Sequence, residues 1–505
     1  MTTAYRRRRF VFGPRETDGI VLGLGMGELL TLAGAAFILI RLMGQGTGGL
    51  LLGLFILAST VAALFVPVKD RTAAQWVPIV AVFAVRRTLG MTHYRGGPAA
   101  QLARQAPRTE GVETMELPGE LAGTQVLTVP TAVGEIGVVK DRRRSTYVAI
   151  IRTRGTAMRL MTSEEQDARL SLWGETLSGI AYAAGGIVRL QVIDQTVPDS
   201  GDALARQWAS HGLRGTASTA ANYEELLDSV RPRTVGHENY LAVMLDPKRA
   251  RRQIRHLGGG DKGACAYLLQ RCAQIEEALS NAGMVVEGAL PPRAIAQVIR
   301  LAYEPGARWK LDARGPIDPD NPAGGASPSE AGPMAAEEAF GHYQTDDTYH
   351  AVYWISEWPR KEVAGDFMEG LILRTACERT VSVIMEPLDP RKAADEISRS
   401  STAKSANEQT RQRWGFRQSA RDRREAASVE QHDEDLASGH ALYRFMGLIR
   451  ISAPTLELLD QACGEIETQA TALQIRRLYG EQATAFPATL PLCRGLRWGL
   501  LSDVG

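Results

Sequence analysis

The chain lacks the short motifs that mark the commonest nucleotide-binding and hydrolytic enzymes. It has no Gly-x-x-x-x-Gly-Lys-Ser/Thr loop, no His-Glu-x-x-His pair and no Gly-x-Ser-x-Gly turn. The nearest approach to a phosphate loop, Leu257-Gly-Gly-Gly-Asp-Lys-Gly263, has no hydroxyl residue after its lysine and lies between helical patterns. The eight histidines never pair at the spacing of metal ligands. We therefore expect no cofactor and no metal.

The chain also has little net charge and few cysteines. A formal charge of +1 over 505 residues gives no global field that would attract nucleic acid. The basic clusters Arg142 to Arg144 and Arg249 to Arg252 lack neighbouring aromatic residues on which bases could stack, so no direct nucleic-acid binding is expected. Five cysteines without a Cys-x-x-Cys pair indicate reduced thiols in a cytosolic region.

The strongest candidates for catalysis are His350, Glu357 and Asp366, which surround predicted strands in the second half of the chain. Three such residues are expected by chance in a chain of this length, and a catalytic site needs convergent geometry. A membrane-tethered enzyme therefore stays an alternative, and the preferred expectation is that the chain is not an enzyme.

Long apolar runs are confined to the first seventy residues. Residues 26–43 and 49–68 are apolar and are separated by the short link Gly44-Gln-Gly-Thr-Gly-Gly49. A membrane-spanning helix needs about 17 to 25 apolar residues, so the two runs predict a transmembrane helical hairpin over 26–68. Gly19, Gly23 and Gly27 are spaced by four, a pattern that favours close helix packing. A cleavable signal peptide would share the basic start but not the second run.

Basic residues flank the hairpin on both outer sides, and the link carries none. The positive-inside rule therefore predicts a two-pass protein of the inner (plasma) membrane with both termini in the cytoplasm. Residues 70–87 are too short to span and predict an interfacial helix with an aromatic start and a basic end. The residues predicted to anchor the chain at the bilayer are Arg6, Arg7, Arg8, Arg9, Trp76, Arg86 and Arg87.

The remaining chain alternates strand and helix patterns, which predicts an α+β fold of cytosolic mixed α/β domains. Strands are expected at 125–129, 136–140, 146–152, 187–194 and 239–245, with a helix from the capping box Ser163-Glu-Glu-Gln166 to about Ala184 and a long helix from Pro247 to about Ala282. Further strands are expected at 349–355, 380–385 and 443–451. Leu245-Asp-Pro247 and Leu388-Asp-Pro390 both follow an apolar strand, so two related halves are one interpretation.

The predicted organisation has six segments. A basic N-terminus (1–25) and the transmembrane hairpin (26–68) precede an interfacial helix and linker (69–108). A first α+β domain (109–312), a linker rich in Pro and Gly (313–342) and a second α+β domain (343–505) follow. The second domain contains a polar helical stretch at 390–438, which either is a solvated arm or grips a partner protein.

Several of these segments resemble parts of known secretion machines. The hairpin start Gly23-Leu-Gly-Met-Gly-Glu-Leu29 resembles the PrgI-like two-helix membrane subunits of type IV secretion and conjugation systems, although Gly25-Met-Gly27 departs from their usual sequence. Tyr147 to Arg152, the helix with Trp173, and Ile187 to Gln191 are similar to the N-terminal, non-nucleotide domain of VirB-type ATPases. Arg477 to Gln482, followed by Phe486 to Leu492, is similar to the segment that precedes the motor in those ATPases.

As a whole, the chain resembles actinobacterial integral membrane subunits of conjugative secretion loci, in which the ATPase is a separate chain. The resemblance implies a non-catalytic scaffold that is oligomeric within a complex, with other inner-membrane subunits, a P-loop ATPase and the lipid bilayer as partners. It places the ATPase contact at Leu478, Tyr479, Phe486, Leu490 and Leu492, although these residues could instead close the last part of the core. A membrane component of a type VII-like export system is the second alternative.

Overall fold

A computed structural model describes most of the chain. The described residues are 26–68, 71–96, 111–132, 134–155, 160–183, 185–198, 208, 222–223, 225–226, 235–318, 320–359, 361–373, 377–388 and 439–496. The chain divides into two compact units, which we call the hairpin unit and the sheet unit. Among the described residues, the hairpin unit comprises those up to Thr92 together with Tyr479–Glu481, and the sheet unit comprises those from His93 onward apart from these three.

The hairpin unit contains two helices joined by a three-residue turn. Helices α1 (Met26–Met43) and α2 (Thr47–Phe65) precede the short strands β1 (Pro67–Val68) and β2 (Arg71–Thr72) and helix α3 (Ala73–Thr88). A Cβ at Gly53 would lie only 2.7 Å from Leu39 Cδ1 and 3.0 Å from Leu39 Cα. Because only glycine leaves room for that approach, α1 and α2 are packed tightly at this point.

One antiparallel sheet of 14 strands dominates the sheet unit. Twelve strands form a path in the order β3-β11-β12-β13-β15-β14-β8-β9-β7-β6-β5-β4, while β10 pairs with β7 and β16 with β13. Their bounds are β3 His93–Arg95, β4 Val112–Thr114, β5 Thr124–Thr131, β6 Gly134–Asp141, β7 Thr146–Arg154, β8 Ile187–Pro198, β9 Val235–Leu245, β10 Val285–Ala289, β11 Ala335–Glu338, β12 Tyr343–Thr345, β13 Thr348–Glu357, β14 Glu378–Pro387, β15 Tyr443–Ala453 and β16 Gln474–Arg477.

Helices and loops cover both faces of this sheet. The helices are α4 Ser163–Tyr182, α5 Arg251–His256, α6 Gly260–Asn281, α7 Pro292–Tyr303, α8 Arg308–Asp312, α9 Glu369–Ile372, α10 Leu456–Gln469 and α11 Gln482–Ala485. Along β7, Val148 and Ile150 belong to one apolar cluster, whereas Ala149 and Ile151 belong to another. The first cluster includes α7 and the chain after α11; the second includes α6. The alternation of side chains along a strand explains why β7 is apolar throughout: both its faces are buried.

The strand predictions from the sequence are confirmed, and two helix boundaries are corrected. The capping box belongs to Thr162, whose side chain accepts from the Glu165 amide, and not to Ser163. The long helix predicted from Pro247 is two helices, α5 and α6, because the glycines between them have positive φ. Asp246 accepts a hydrogen bond from the Lys248 amide at 2.9 Å and so forms a turn ahead of α5.

The two predicted cytosolic domains share one sheet. Strand β14, from the second, pairs with β8, from the first, over the register Arg379↔Thr196 to Met385↔Leu190. The predicted 313–342 linker is packed in the same unit, where a Cβ at Gly332 would lie 1.8 Å from the Glu116 carbonyl oxygen. The arm predicted at 390–438 lies outside the described residues, as does the second Asp-Pro pair.

Candidate membrane surface and buried polar row

Large apolar side chains are exposed mainly in the hairpin unit. Eighteen of them lie between Leu30 and Met91, against twelve in the rest of the described chain. Phe55 on α2 is 70% exposed and Phe37 on α1 is 64% exposed, although both helices are otherwise well formed. Clustered exposed apolar side chains are typical of surfaces that contact lipid or another protein.

By length and composition, one helix in the described part of the chain could cross a membrane, Thr47–Phe65. The apolar part of α1, Leu29–Met43, is shorter. Arg41 stands in the last turn of α1, where a long side chain can extend its charge toward an interface.

Helix α3, which the sequence predicted as an interfacial helix, ends at Thr88 and carries both exposed and buried apolar side chains. Val77 and Leu89 are each 67% exposed, while Phe83 is buried. Trp76 is half-buried, and the Arg71 guanidinium lies over its ring, 5.6 Å from the ring centre. Arg86 and Arg87 stand in the last turn, as expected.

Several predicted anchoring and packing residues fall outside the described part of the chain. These are Arg6, Arg7, Arg8, Arg9, Gly19 and Gly23. Gly27 lies in the first turn of α1.

Four of the five residues predicted to contact an ATPase are core residues. Leu478, Phe486, Leu490 and Leu492 are between 0% and 4% exposed and belong to the first apolar cluster. Tyr479 is half-buried, with its ring 5.8 Å from that of Trp76. Because buried side chains cannot meet a partner without unfolding, these residues match the alternative given above, closure of the core.

A row of polar side chains crosses the first apolar cluster and was not foreseen from the sequence. Neighbouring strands bring its members into register: His350 is opposite Ser452, Ser452 opposite Glu378, and Thr380 opposite both Arg450 and Gln195. Gln195 is in turn opposite Glu238. The sequence signal was a polar residue within each apolar strand, such as Arg450 between Ile449 and Ile451 of β15, at a position where alternate side chains face a core.

Arg450 and Glu378 form the centre of this polar row. Arg450 is 1% exposed, and its Nη2 lies 3.4 Å from Glu378 Oε1. Nη2 also donates to Thr380 Oγ1 at 2.9 Å, and Gln195 Nε2 donates to Glu378 Oε1 at 2.6 Å. Burial raises the pKa of Glu378 and lowers that of Arg450, even though the two attract each other. A charge here is therefore tolerated only while its partner is present.

The row ends in a more accessible ion pair. Arg308 Nη1 donates to Glu238 Oε1 at 2.7 Å, and Tyr240 donates to the other oxygen at 3.0 Å. Burial alone would raise the pKa of Glu238, but Arg308 outweighs it and the pKa is lowered. Glu238 is therefore charged at neutral pH, unlike an isolated buried carboxyl.

The catalytic trio considered from the sequence is not assembled. His350 is fully buried, with Nε2 2.6 Å from Thr345 Oγ1 and Nδ1 2.9 Å from Ser452 Oγ. Glu357 lies seven residues further along the same strand, about 23 Å away at the rise of a β-strand. Asp366 is exposed. His350 and Glu357 cannot act on one substrate atom.

A second constellation, Asp194, Thr196 and His237, contains the residue types of a catalytic triad. His237 Nδ1 lies 3.4 Å from Asp194 Oδ1 and 3.5 Å from Thr196 Oγ1. A relay needs the acid on one ring nitrogen and the hydroxyl on the other. Because both contacts involve the same nitrogen, and Thr196 donates to the Ile372 carbonyl at 2.9 Å, this geometry does not activate the hydroxyl.

Burial of His350 makes the stability of the sheet unit dependent on pH. Burial and then the nearby Arg450 hold the pKa of His350 well below its usual value, so the folded chain keeps the ring neutral. Below about pH 6.5 the unfolded chain binds a proton that the folded chain does not, and stability falls by about 1.4 kcal/mol per pH unit from this residue. Urea unfolding between pH 7 and pH 5 should show a smaller loss in His350→Gln than in the wild type. Equal losses in both proteins would contradict this assignment.

No protein-family model matches the chain, and no curated protein matches its sequence.

Proposed function

We propose that the chain is a non-enzymatic scaffold subunit in the inner membrane of a type IV secretion- or conjugation-like machine, where it positions a separate P-loop ATPase. The observation that carries the membrane part is the exposed apolar surface between Leu30 and Met91. The order of sequence segments that resemble such machines carries the scaffold part. The chain would act in an oligomeric complex with other inner-membrane subunits.

In this proposal α1 and α2 form a two-pass transmembrane hairpin with both chain termini in the cytoplasm. Helix α2 is long enough to cross by itself, while α1 packs on it through Gly53 and Leu39. Helix α3 lies in the interface, with Val77 and Leu89 toward the acyl chains and Arg86 and Arg87 at the headgroups. The sheet unit then lies in the cytoplasm, where its five buried cysteines, none of which forms a disulfide, stay reduced.

The large sheet and the buried polar row described above are consistent with a rigid scaffold. Pairing of β14 with β8 joins the two halves of the chain across the centre of the sheet, so the unit cannot open there without breaking a ladder of hydrogen bonds. Arg450 and Glu378 add a charge pair that is satisfied in one arrangement of the strands. Both features favour a rigid body that holds partners at fixed positions.

Affinity purification of the tagged full-length chain from native membranes tests the scaffold role. We expect a P-loop ATPase at near-stoichiometric amounts in mass spectrometry of the mild-detergent eluate. An unrelated two-helix membrane protein with the same tag, purified in parallel, identifies proteins retained by detergent alone. Repeated recovery of the chain without an ATPase would contradict the scaffold proposal, and co-purification of a type VII-like export channel would favour that alternative.

A further inference from the structure

Positive charge is concentrated at one end of the large sheet, although the chain as a whole is almost neutral. The turn between β6 and β7 and the chain between β9 and α6 both lie at this end, because Tyr147 of β7 is opposite Leu245 of β9. We call this region the basic end. Its exposed cations are Arg142, Arg143, Lys248, Arg249, Arg251, Arg252, Arg255 and Lys262.

Contacts between elements hold these two segments together. Lys140, at the end of β6, donates to Asp261 Oδ2 at 2.6 Å, in the first turn of α6. Helix α5 is anchored by the buried Ile254, whose carbonyl oxygen accepts from the Gly259 amide at 2.9 Å. A Cβ at Gly263 would lie 2.4 Å from the same oxygen, so α5 and α6 are in close contact.

The acids of this region are held by internal partners. Asp141 binds Arg494 at 2.7 Å and accepts from the Arg143 amide, and Asp261 accepts from both Lys140 and Tyr147. Asp246 accepts a hydrogen bond from the Lys248 amide within its own turn, and its Oδ2 lies 3.8 Å from Arg249 Nε.

Most of the cations have no such partner. Among the described residues, Arg142, Arg251, Arg252, Arg255 and Lys262 have no ion pair. The basic end therefore presents a surplus of positive charge to solvent.

The aromatic residues of this region do not add a stacking platform. Tyr147 and Tyr267 are 6% and 8% exposed. Binding of single-stranded nucleic acid normally combines such a positive surface with exposed rings on which bases stack. A layer of lipid headgroups needs only several exposed cations distributed over a surface, which is what α5 and the neighbouring turns provide.

We propose that the basic end binds the anionic phospholipid headgroups of the cytoplasmic leaflet. This inference rests on the proposed membrane anchoring, since a hairpin in the bilayer keeps the sheet unit at high local concentration near the lipid surface. Each basic residue close to an anionic membrane strengthens association roughly fivefold at physiological ionic strength. A second attachment beside the hairpin would restrict the orientation in which the sheet unit presents itself to partners.

Lysine acylation of the full-length chain in lipid nanodiscs tests this inference with controls inside the same molecule. Lys248 and Lys262 belong to the basic end, whereas Lys310 and Lys361 are exposed elsewhere in the sheet unit. In discs that contain phosphatidylglycerol, we expect acylation of Lys248 and Lys262 to slow at least severalfold relative to Lys310 and Lys361. Discs of phosphatidylcholine alone should abolish the difference. Addition of about 0.5 M salt, which shortens the Debye length to roughly 4 Å and screens the headgroup charge, should abolish it too.

A charge-reversal variant separates this attachment from folding and from membrane insertion. Arg251→Glu with Arg252→Glu places acids in the first turn of α5, where the helix dipole favours them, so the fold is expected to persist. This variant should lose the lipid-dependent slowing at Lys248 and Lys262. A control variant, Arg95→Glu with Arg314→Glu, makes the same change in net charge at exposed positions elsewhere, also gives up the pair of Arg314 with Glu330, and should keep the slowing.

The outcomes distinguish this inference from the proposed function. If the chain enters nanodiscs but all four lysines respond alike to phosphatidylglycerol, or if Arg251→Glu with Arg252→Glu keeps the slowing, lipid binding by the basic end is overturned while membrane anchoring stands. If a single-stranded oligonucleotide slows Lys248 and Lys262 in neutral discs and phosphatidylglycerol does not, the basic end is a nucleic-acid surface instead. Failure of the chain to enter discs at all would overturn the membrane anchoring itself.

Discussion

The Glu378→Leu variant is expected to lose roughly 3 to 5 kcal/mol of unfolding free energy, because it leaves Arg450 as a buried cation without a counter-charge. An arginine side chain does not give up its proton at accessible pH, so the unpaired charge cannot be relieved. Equilibrium urea unfolding of the full-length protein in mild detergent, followed by tryptophan fluorescence at pH 7, measures the loss. A loss below about 1 kcal/mol, the range of an exposed pair, would contradict the assigned role of the pair.

Removing Arg450 instead of Glu378 is expected to make the loss of stability depend on pH. Arg450→Met leaves a carboxyl whose pKa burial already raises, and this group can take up a proton. A raised pKa in the folded state means that stability is fully present below the pKa of the unfolded carboxyl and is lost as pH rises through the folded value. Arg450→Met should therefore be less destabilised at pH 5 than at pH 8, once the His350 effect is subtracted with His350→Gln.

Two further variants control this experiment. The double substitution Glu378→Leu with Arg450→Met replaces the pair by apolar groups of similar volume and should recover most of the lost stability. Arg314→Met breaks the exposed pair with Glu330, whose atoms are 2.9 Å apart, and should cost less than about 1 kcal/mol.

Cysteine labelling in intact cells is expected to modify the hairpin turn and to leave the sheet unit unmodified. Gln45 is exposed in the turn between α1 and α2, so a thiol introduced as Gln45→Cys should react with a membrane-impermeant maleimide in intact cells. The sheet-unit control Lys361→Cys should react only after lysis. This pattern would place the turn outside the cell and the sheet unit in the cytoplasm.

The natural cysteines give this measurement a low background. All five are buried and none forms a disulfide. Burial raises the pKa of the Cys265 thiol to about 12 and also raises that of Cys463, so few reactive thiolates form at neutral pH. Labelling of both variants in intact cells, or of neither after lysis, would contradict the two-pass arrangement.

Sequence patterns predicted the local elements well because those elements depend on local periodicity. Alternating or continuous apolar runs located β5 to β9 and β13 to β15 to within a few residues. The short strands β3, β4, β10 to β12 and β16 were not predicted, and the errors in the predicted helices came where one residue decides a boundary. Thr162 rather than Ser163 caps α4, and the glycines after α5 end the helix predicted from Pro247.

The candidate sites were predictable only in part. The two apolar helices of the hairpin were predictable from composition, and many of their large apolar side chains are exposed. For the predicted ATPase contact, the sequence left two interpretations open. Apolar residues such as Phe486 and Leu490 look alike in sequence whether they close a core or meet a partner. Burial, which distinguishes the two, depends on what packs against them.

Two apolar helices joined by a short turn, and a remainder that mixes strands and helices, were predictable from the sequence alone, because both depend on composition or on periodicity over a few turns. That the two halves form one sheet was visible only in the tertiary structure. The pairing of β14 with β8 joins segments that lie about 190 residues apart in the chain, too far for a local sequence pattern to reveal it. The tertiary structure also decided that Arg450 lies beside Glu378 and that two basic segments meet at one end of the sheet. Long-range strand register creates both arrangements, and no local pattern encodes register between distant strands.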